Sequence, residues 1–245
     1  MRLTRRTFAA WAVAATPTLG SLAQAQAWPA KPIRWVVPYP AGGGSDFLAR
    51  TVGQQLAAQT GQQVIVDNKP GANTAIAAAD VARAAPDGYT ILSADNGTLV
   101  FNTALYSKLS YNPDKELLPV TLMGRFPMVL VVGAQSDLKD AREFVARAKA
   151  RPGSISYGSA GAGSPHHLAM ELLKVSAGLH MVHIPYRGAA PALQDLAGGQ
   201  VAAMMTDLAA ANSLLKGGRI RALAVAHPVR LPQLPDVPTF AELGF

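Results

Sequence analysis

Residues 36–46 read VVPYPAGGGSD, and residues 157–167 read YGSAGAGSPHH. In each stretch an apolar, strand-like run leads into a glycine-rich loop, and a helix-like run follows the loop. Glycine lets the backbone approach a ligand closely, and the first-turn N–H groups of the helix carry the positive end of its dipole. A single loop of this kind is weak evidence, because many strand-to-helix turns need glycine for packing alone. Two of them predict a paired anion-binding site.

The rest of the chain alternates short strand candidates with amphipathic helix candidates. Such alternation is typical of an α/β fold with parallel sheets and crossover helices. One series starts at residues 33–37 and a second at residues 128–132, so each glycine loop belongs to its own series. Because open α/β sheets bind ligands at the carboxyl ends of their strands, the two loops are expected to line a cleft if the two halves face each other.

Two helix starts are predicted beside the loops. Ser45 or Asp46 is expected to cap the first helix, whose apolar residues recur over residues 47–58. The Asp46 carboxylate is expected to hold its own loop, with ligand contact as the alternative. Ser164 followed by Pro165 is a typical N-cap and first-turn pair for the second helix.

The composition is that of an ordinary globular protein. The chain has 245 residues, of which 49% are apolar and 15% charged, enough for two modest α/β domains or one large one. Its lysines and arginines are scattered without interleaved aromatic residues, so nucleic-acid binding is not expected. Cysteine is absent, which excludes disulfides, thiolate metal sites and a cysteine nucleophile.

The first 27 residues have the pattern of an export signal. Three arginines in the first six residues precede an acid-free stretch, residues 8–19, and small residues then fit cleavage near Ala25 or Ala27. Residues 4–8 (TRRTF) resemble a twin-arginine signal, and the general secretory route remains open. A membrane anchor is disfavoured because the apolar run is short and interrupted. Cleavage would remove three positive charges and lower the net charge from +7 to +4.

The motifs of several enzyme classes are missing. No Gly-Lys-Ser/Thr follows either loop, and neither loop has the spacing of a dinucleotide motif. Ser159 lies in Gly-Ser-Ala-Gly rather than in the Gly-x-Ser-x-Gly frame of a hydrolase elbow. His166 and His167 point about 100° apart on a helix and cannot share a face as zinc ligands do. We therefore predict no catalytic residue, no metal and no cofactor.

For four other polar residues, the sequence either leaves two roles open or indicates no role in the site. His167 follows the second loop directly, where it would either orient the loop or donate to a ligand. Asp207 follows a strand candidate and would either contact an amine or a bridging water or cap the next helix. His183, inside a strand candidate, is expected to be structural, and Arg187 to lie in an exposed turn.

Eight short segments after residue 27 together match the pattern of a known family. They are WP (28–29) with KPI (31–33), VPYPAGGGSD (37–46), DNKPGA (67–72), APDGYT (85–90), YGSAGAGSPHHL (157–168), HIPYRG (183–188) with PAL (191–193), GGQV (198–201) and LPDVPT (234–239). In this order they resemble the Bug-type (TctC-like) extracytoplasmic solute receptors, the periplasmic binding components of tripartite tricarboxylate transporters.

The resemblance implies an α/β fold of the two-domain periplasmic-binding-protein type II, a Venus flytrap. Residues 28–127 with residues 224–245 would form the first domain, and residues 128–223 the second. The ligand would be a small carboxylate, namely a di- or tricarboxylate, an acidic amino acid or an aromatic carboxylate. Membrane subunits of a tripartite tricarboxylate transporter would be partners of a periplasmic monomer. The alternatives are a sensory binding protein that feeds a signalling partner, or an enzyme acting on an anionic substrate in the same cleft.

The resemblance also implies which residues line the pocket. The expected ligand-binding residues are Tyr39, Ala41, Gly42, Gly43, Gly44, Ser45 and Asp46 in one domain, Ser159, Gly161, Gly163, Ser164 and His167 in the other, and Asn96, Gly97, Thr98 and Asp207 as secondary lining. In the family the loops hold the carboxylate largely through backbone N–H groups and ordered waters. Family members continue past the position of Phe245, so the first domain is expected to be incomplete and the polypeptide alone to be poorly stable.

Overall fold

The structure, a computed structural model, describes residues 28–245. The predicted export signal, residues 1–27, lies outside the described residues. Within the described range, no helix is both long and apolar enough to span a bilayer. Residues 31–245 contain two β-sheets, which we call the small sheet and the large sheet.

The small sheet has three parallel strands in the order β2-β1-β3, as the alternating pattern predicts. Its central strand, which supplies Trp35 and Val37 to a core shared with Ala49, is covered on both faces and is apolar for that reason. The elements are β1 (Ile33–Val37), α1 (Gly44–Thr60), β2 (Val64–Asn68), α2 (Ala75–Ala82) and β3 (Thr90–Leu92).

Three short helical segments that the sequence pattern did not predict follow the small sheet. They are a π-helix (Gly97–Phe101), α3 (Asn102–Leu105) and α4 (Pro113–Glu116). Asn112 caps α4, since its side chain accepts the N–H groups of Asp114 and Lys115. Segments of four or five residues carry too few apolar repeats to show a helical period.

The large sheet has five strands in the order β6-β5-β7-β4-β8. Helices on both faces bury its central strands, whereas the edge strand β6 is largely exposed. The elements are β4 (Met128–Gly133), α5 (Ala141–Ala150), β5 (Ser156–Ser159), α6 (Pro165–Ala177), β6 (Val182–Pro185), α7 (Ala189–Ala197), β7 (Ala203–Asp207), α8 (Leu208–Lys216), β8 (Ile220–Ala226) and a short α9 (Phe240–Leu243).

The expectation of parallel sheets is wrong for β4, which runs antiparallel to both β7 and β8. Met128, the first residue of β4, pairs with Asp207, the last residue of β7. The Leu208 N–H donates to the Pro127 carbonyl, 3.3 Å away, at the same edge. The chain therefore enters the large sheet at the carboxyl end of β7, and β4 has to run the opposite way.

The predicted cap of the first helix is also wrong. Helix α1 begins at Gly44, and Gly43 occupies the N-cap position without a side-chain cap, so Ser45 and Asp46 lie in the first turn. At the second helix the prediction is confirmed, because the Ser164 side chain accepts the His167 N–H.

Two apolar layers cover the large sheet. One contains Phe144 and Met170, and the other Leu193 and Met204. The chain after β8 joins them: Leu231 is buried in the second layer, while Phe240 and Leu243 pack against the first. Residues 224–243 thus lie against the large sheet, and the domain division at residue 223 stays a prediction.

Phe144→Ala tests the core. The Phe144 side chain is fully buried, so its loss should lower the free energy of unfolding by about 3–5 kcal/mol. Leu172→Ala, which truncates a side chain 70% exposed on α6, is the control and should change it by less than about 0.5 kcal/mol. Urea denaturation followed by circular dichroism measures both. Equal effects would contradict the packing described.

Candidate ligand-binding site

The first glycine loop lies against the large-sheet side of the molecule. A Cβ at Gly44 would overlap Oδ1 of Asp207, and a Cβ at Gly188 would overlap the Pro40 ring. Gly44 opens α1 and Asp207 ends β7, so the start of one helix meets the carboxyl end of a strand in the other sheet. Only glycine allows this approach at position 44.

The second glycine loop lies against the small-sheet side. A Cβ at Gly163 would come within 2.6 Å of Nδ2 of Asn73 and 2.7 Å of Cδ1 of Leu105. A Cβ at Gly97 would lie 3.5 Å from Cδ of Pro165, at the start of α6. The structure therefore brings together both loops, the segment Asn96 to Thr98, and Asp207.

Asp46 holds the first loop together. Its carboxylate accepts the Gly42 N–H at 3.0 Å, Nε of Arg50 at 3.0 and 3.1 Å, and Nδ2 of Asn68 at 3.0 Å. Burial raises the pKa of this carboxyl, but the bonds from Arg50, Gly42 and Asn68 lower it overall. Asp46 is thus an ionised carboxylate whose oxygens are engaged within its own loop.

Tyr39 connects the first loop to the residues that begin the π-helix. Its hydroxyl donates to Oδ2 of Asp95 at 2.7 Å. Oδ1 of Asp95 accepts the N–H and hydroxyl of Thr98, at 2.9 and 3.1 Å. Burial, followed by the Asp95 charge, raises the pKa of Tyr39 well above its usual value, so the phenol stays a donor. Ala41 and Ser45 lie at the rim of this arrangement, where Ala41 is exposed.

The second loop is held by side chains on either side of it. The Gly163 N–H donates to Nδ1 of His167 at 3.0 Å, and the Gly161 N–H donates to Oγ of Ser159 at 3.1 Å. Ser164 caps α6. Of the two roles that the sequence left open for His167, the structure shows the contact that orients the loop.

Asp207 is both a helix cap and half of a buried pair. Oδ1 accepts the Ala210 N–H at 2.8 Å, and Oδ2 lies 3.1 Å from Nε2 of His166. Burial raises the pKa of Asp207, but the His166 contact and the Ala210 N–H lower it overall. The pair joins residues 41 positions apart, and the sequence held no signal for it beyond the place of His166 beside the loop.

Asn73 and Asn102 are further residues that sequence reasoning missed. Ala72, Asn73 and Thr74 have φ values of 46°, 45° and 73°, a left-handed conformation that costs each of these side chains free energy. The fully buried Asn102 accepts Nδ2 of Asn73 at 2.6 Å and donates to the Asn73 carbonyl at 2.7 Å. Non-glycine residues with positive φ carry no distinct pattern, so this strained turn was visible only in the structure.

Asp207→Asn tests the charge of the buried pair. Replacing the carboxylate should lower the free energy of unfolding by about 1–3 kcal/mol at neutral pH. Because the pKa of Asp207 is lower when folded than its unfolded value of about 3.9, its stabilisation is present above that pH and is lost as the pH falls further. The gap between wild type and variant in urea denaturation should therefore shrink below about pH 4.

Asp236→Asn, at an exposed position, is the matched control and should show little gap at any pH. A gap for Asp207→Asn that stays constant or widens in acid would contradict the pairing described above.

Comparison with known proteins identifies relatives of this fold and site. The family model for the tripartite tricarboxylate transporter family receptor (TctC) matches residues 48–245. A UPF0065 protein in the tcbD-tcbE intergenic region of Pseudomonas sp. (strain P51) is 40% identical over 238 residues, covering 97% of this chain and 70% of that protein.

Two solved structures share both the fold and a third of the sequence. One is a protein of R. palustris with adipate, with a TM-score of 0.86 and 36% identity, covering 89% of this chain and 73% of that one. The other is MatC from Rhodopseudomonas palustris with bound malate, with a TM-score of 0.83 and 35% identity, covering 88% and 74%. On these matches, the chain belongs to the TctC family of tripartite tricarboxylate transporter receptors and has its mixed α/β, two-sheet fold.

Proposed function

We propose that this chain captures a small carboxylate between its two glycine loops and presents it to the membrane subunits of a tripartite tricarboxylate transporter. The observation that carries the proposal is the convergence of the first turns of α1 and α6, each preceded by a glycine loop, from different sheets. The adipate and malate of the two solved relatives favour a dicarboxylate as the ligand.

The donors suit a carboxylate. The N–H groups of Gly44, Ser45 and Asp46 in α1 and that of His166 in α6 have no acceptor inside their own helices, and the helix dipole favours an anion there. Pro165 has no N–H, and the His167 N–H is taken by Ser164. The nearby cation Arg50 is paired with Asp46. Neutral donors are therefore the groups left to recognise the anion, and they fit the planar oxygens of a carboxylate without requiring a higher charge.

The proposed ligand-binding residues are those that the sequence suggested, grouped by their part in the site. Tyr39, Asp46, Thr98, Ser159, Ser164, His167 and Asp207 shape the two loops, and Ala41, Gly42, Gly43, Gly44, Ser45, Asn96, Gly97, Gly161 and Gly163 form the surface that the ligand meets. Residues 28–127 are proposed to close on residues 128–223. Residues 224–245, proposed as the return of the chain to the first domain, lie against the large sheet in this structure and would stay with residues 128–223 on closure. We further propose a periplasmic monomer, exported by the signal in residues 1–27.

Catalysis is not part of the proposal. Oγ of Ser159 lies 2.7 Å from Nε2 of His183, the distance of a nucleophile and its base. However, Ser159 is fully buried, and its hydroxyl is also engaged with the N–H and the carbonyl of Gly161. Burial lowers the pKa of His183 to about 4, which makes this imidazole a weak base.

Isothermal titration of the mature protein tests the function. The panel contains succinate, malate, adipate, citrate, glutamate and benzoate. We expect a dicarboxylate to bind with a Kd in roughly the micromolar range, and NMR of the mixture to show no change in the ligand with time. Consumption of the ligand, or no heat with any acid in the panel, would overturn the proposal.

Gly44→Ala tests the convergence of the loops. The added methyl group would overlap Asp207 and hold the first turn of α1 away from β7, so affinity for the tightest acid should fall at least about tenfold. The fold should persist, since alanine is favoured over glycine within a helix. Gly124→Ala is the control, because its Cβ would make only an ordinary 3.8 Å contact with Leu48. Unchanged affinity in Gly44→Ala would remove this contact from the site.

A further inference from the structure

A stack of three rings lies beside the second glycine loop. Tyr157 of β5, His183 of β6 and His167 of α6 are nearly parallel, with interplanar angles of 18° and 15° between neighbours. Ring centroids lie 4.9 Å apart between Tyr157 and His183, and 4.0 Å apart between His183 and His167. The stack joins the strand before the loop, the helix after it and the neighbouring strand.

Each histidine is connected to one glycine of the loop. Nδ1 of His167 accepts the Gly163 N–H at 3.0 Å. Nε2 of His183 lies 2.7 Å from Oγ of Ser159, and that oxygen accepts the Gly161 N–H at 3.1 Å. Because a backbone N–H only donates, Nδ1 of His167 has to be unprotonated, and the neutral ring carries its proton on Nε2.

Glu171 and Lys174 of α6 are the charged groups that face the stack. Oε1 of Glu171 accepts the Tyr157 hydroxyl and, at 2.6 Å, Nζ of Lys174, and it lies 3.7 Å from Nε2 of His167. Lys174 also lies 5.4 Å from the centroid of the Tyr157 ring. Glu171 is therefore already matched by a positive charge and offers little compensation for a second one on His167.

The environment keeps both imidazoles neutral. Burial, and then the neighbouring His167, lowers the pKa of His183 to about 4. Burial also lowers the pKa of His167, opposed in part by Glu171 and reinforced by Lys174. Two protonated rings stacked 4.0 Å apart would repel each other. At neutral pH the hydrogen bond from the Gly163 N–H therefore matches the protonation state of His167.

We propose that His167 is a positioning residue, which holds the second glycine loop in its ligand-binding conformation only while its imidazole is neutral, so that acid releases the carboxylate. The inference rests on the proposed function of the loop. Protonated Nδ1 of His167 would be a donor facing the Gly163 N–H, so this hydrogen bond would be lost. In this role His167 acts on the ligand through Gly163.

Affinity for the ligand is expected to fall in acid, because only the neutral imidazole holds the loop. A folded loop that needs a neutral His167 binds fully above the ordinary histidine pKa of about 6.5 and weakens as the pH falls through the lowered pKa of His167. We therefore expect the affinity for adipate to fall progressively below about pH 6.5.

Substitutions at position 167 separate the hydrogen bond from its titration. In His167→Asn the side-chain oxygen can replace Nδ1 as the acceptor and does not titrate, whereas His167→Leu removes the acceptor. His227→Asn, an exposed histidine outside the stack, is the control. Isothermal titration with adipate near pH 7 and near pH 4.5 is applied to all variants, so protonation of the ligand itself affects them equally.

Near neutral pH, His167→Leu should bind adipate about tenfold more weakly than His167→Asn, which keeps an acceptor for the Gly163 N–H, and His227→Asn should bind about as well as wild type. On acidification, wild type and His227→Asn should lose about tenfold more affinity than His167→Asn. Parallel pH profiles in wild type and His167→Asn, or wild-type affinity in His167→Leu, would overturn the positioning role.

A second measurement needs no ligand. In the free protein, the protection factor of the Gly163 amide, its observed exchange rate compared with the intrinsic rate at the same pH, should fall in step with protonation of His167, followed through its imidazole 15N shifts. If wild type fails to bind adipate near neutral pH, the choice of ligand or the proposed function is at fault, and this measurement alone decides the inference. A protection factor at Gly163 that does not change as His167 titrates would overturn it.

Discussion

The candidate site depends on a close approach between the backbone at Gly44 and the carboxylate of Asp207. No side chain fits between them, so the first turn of α1 and the carboxyl end of β7 meet directly. Asp207 is ionised and buried, and its two oxygens are already taken by Ala210 and His166. Because both oxygens of Asp207 already accept hydrogen bonds, this carboxylate can lie beside the start of α1 and leave the first-turn N–H groups of that helix largely available to a ligand.

The other acidic residues near the loops, Asp46 and Asp95, also use their carboxylate oxygens for hydrogen bonds within the protein. The oxygens of Asp46 accept hydrogen bonds from Gly42, Arg50 and Asn68, and those of Asp95 accept hydrogen bonds from Tyr39 and Thr98. Negative charge beside a carboxylate site would repel the ligand if it were uncompensated. Because the bonds are internal, these groups fix the shape of the loops while backbone donors remain to recognise the anion.

Much of this arrangement could be predicted from local sequence. The glycine loops and the buried strands before them follow from residue type and period alone, and Ser164 with Pro165 marks a helix start by chemistry within one turn. The direction of β4 could not be predicted, because it depends on which edge of the large sheet the chain reaches after leaving the small one. Gly43 took the N-cap position that Ser45 or Asp46 was expected to fill, since the Asp46 side chain is used to hold the loop.

The contacts that sequence reasoning missed share a physical reason: each joins residues whose separation in the chain carries no period. His166 and Asp207 are 41 residues apart, and Asn73 and Asn102 are 29 apart. The Asn73 turn, with its three left-handed residues, costs on the order of 1 kcal/mol or more at each of them and persists only where neighbours over-determine it. Asn102 does so, holding Asn73 against Gly163 of the second loop. The strained Asn73 turn therefore lies where the two halves of the site touch. A closure driven by ligand binding would act on this turn.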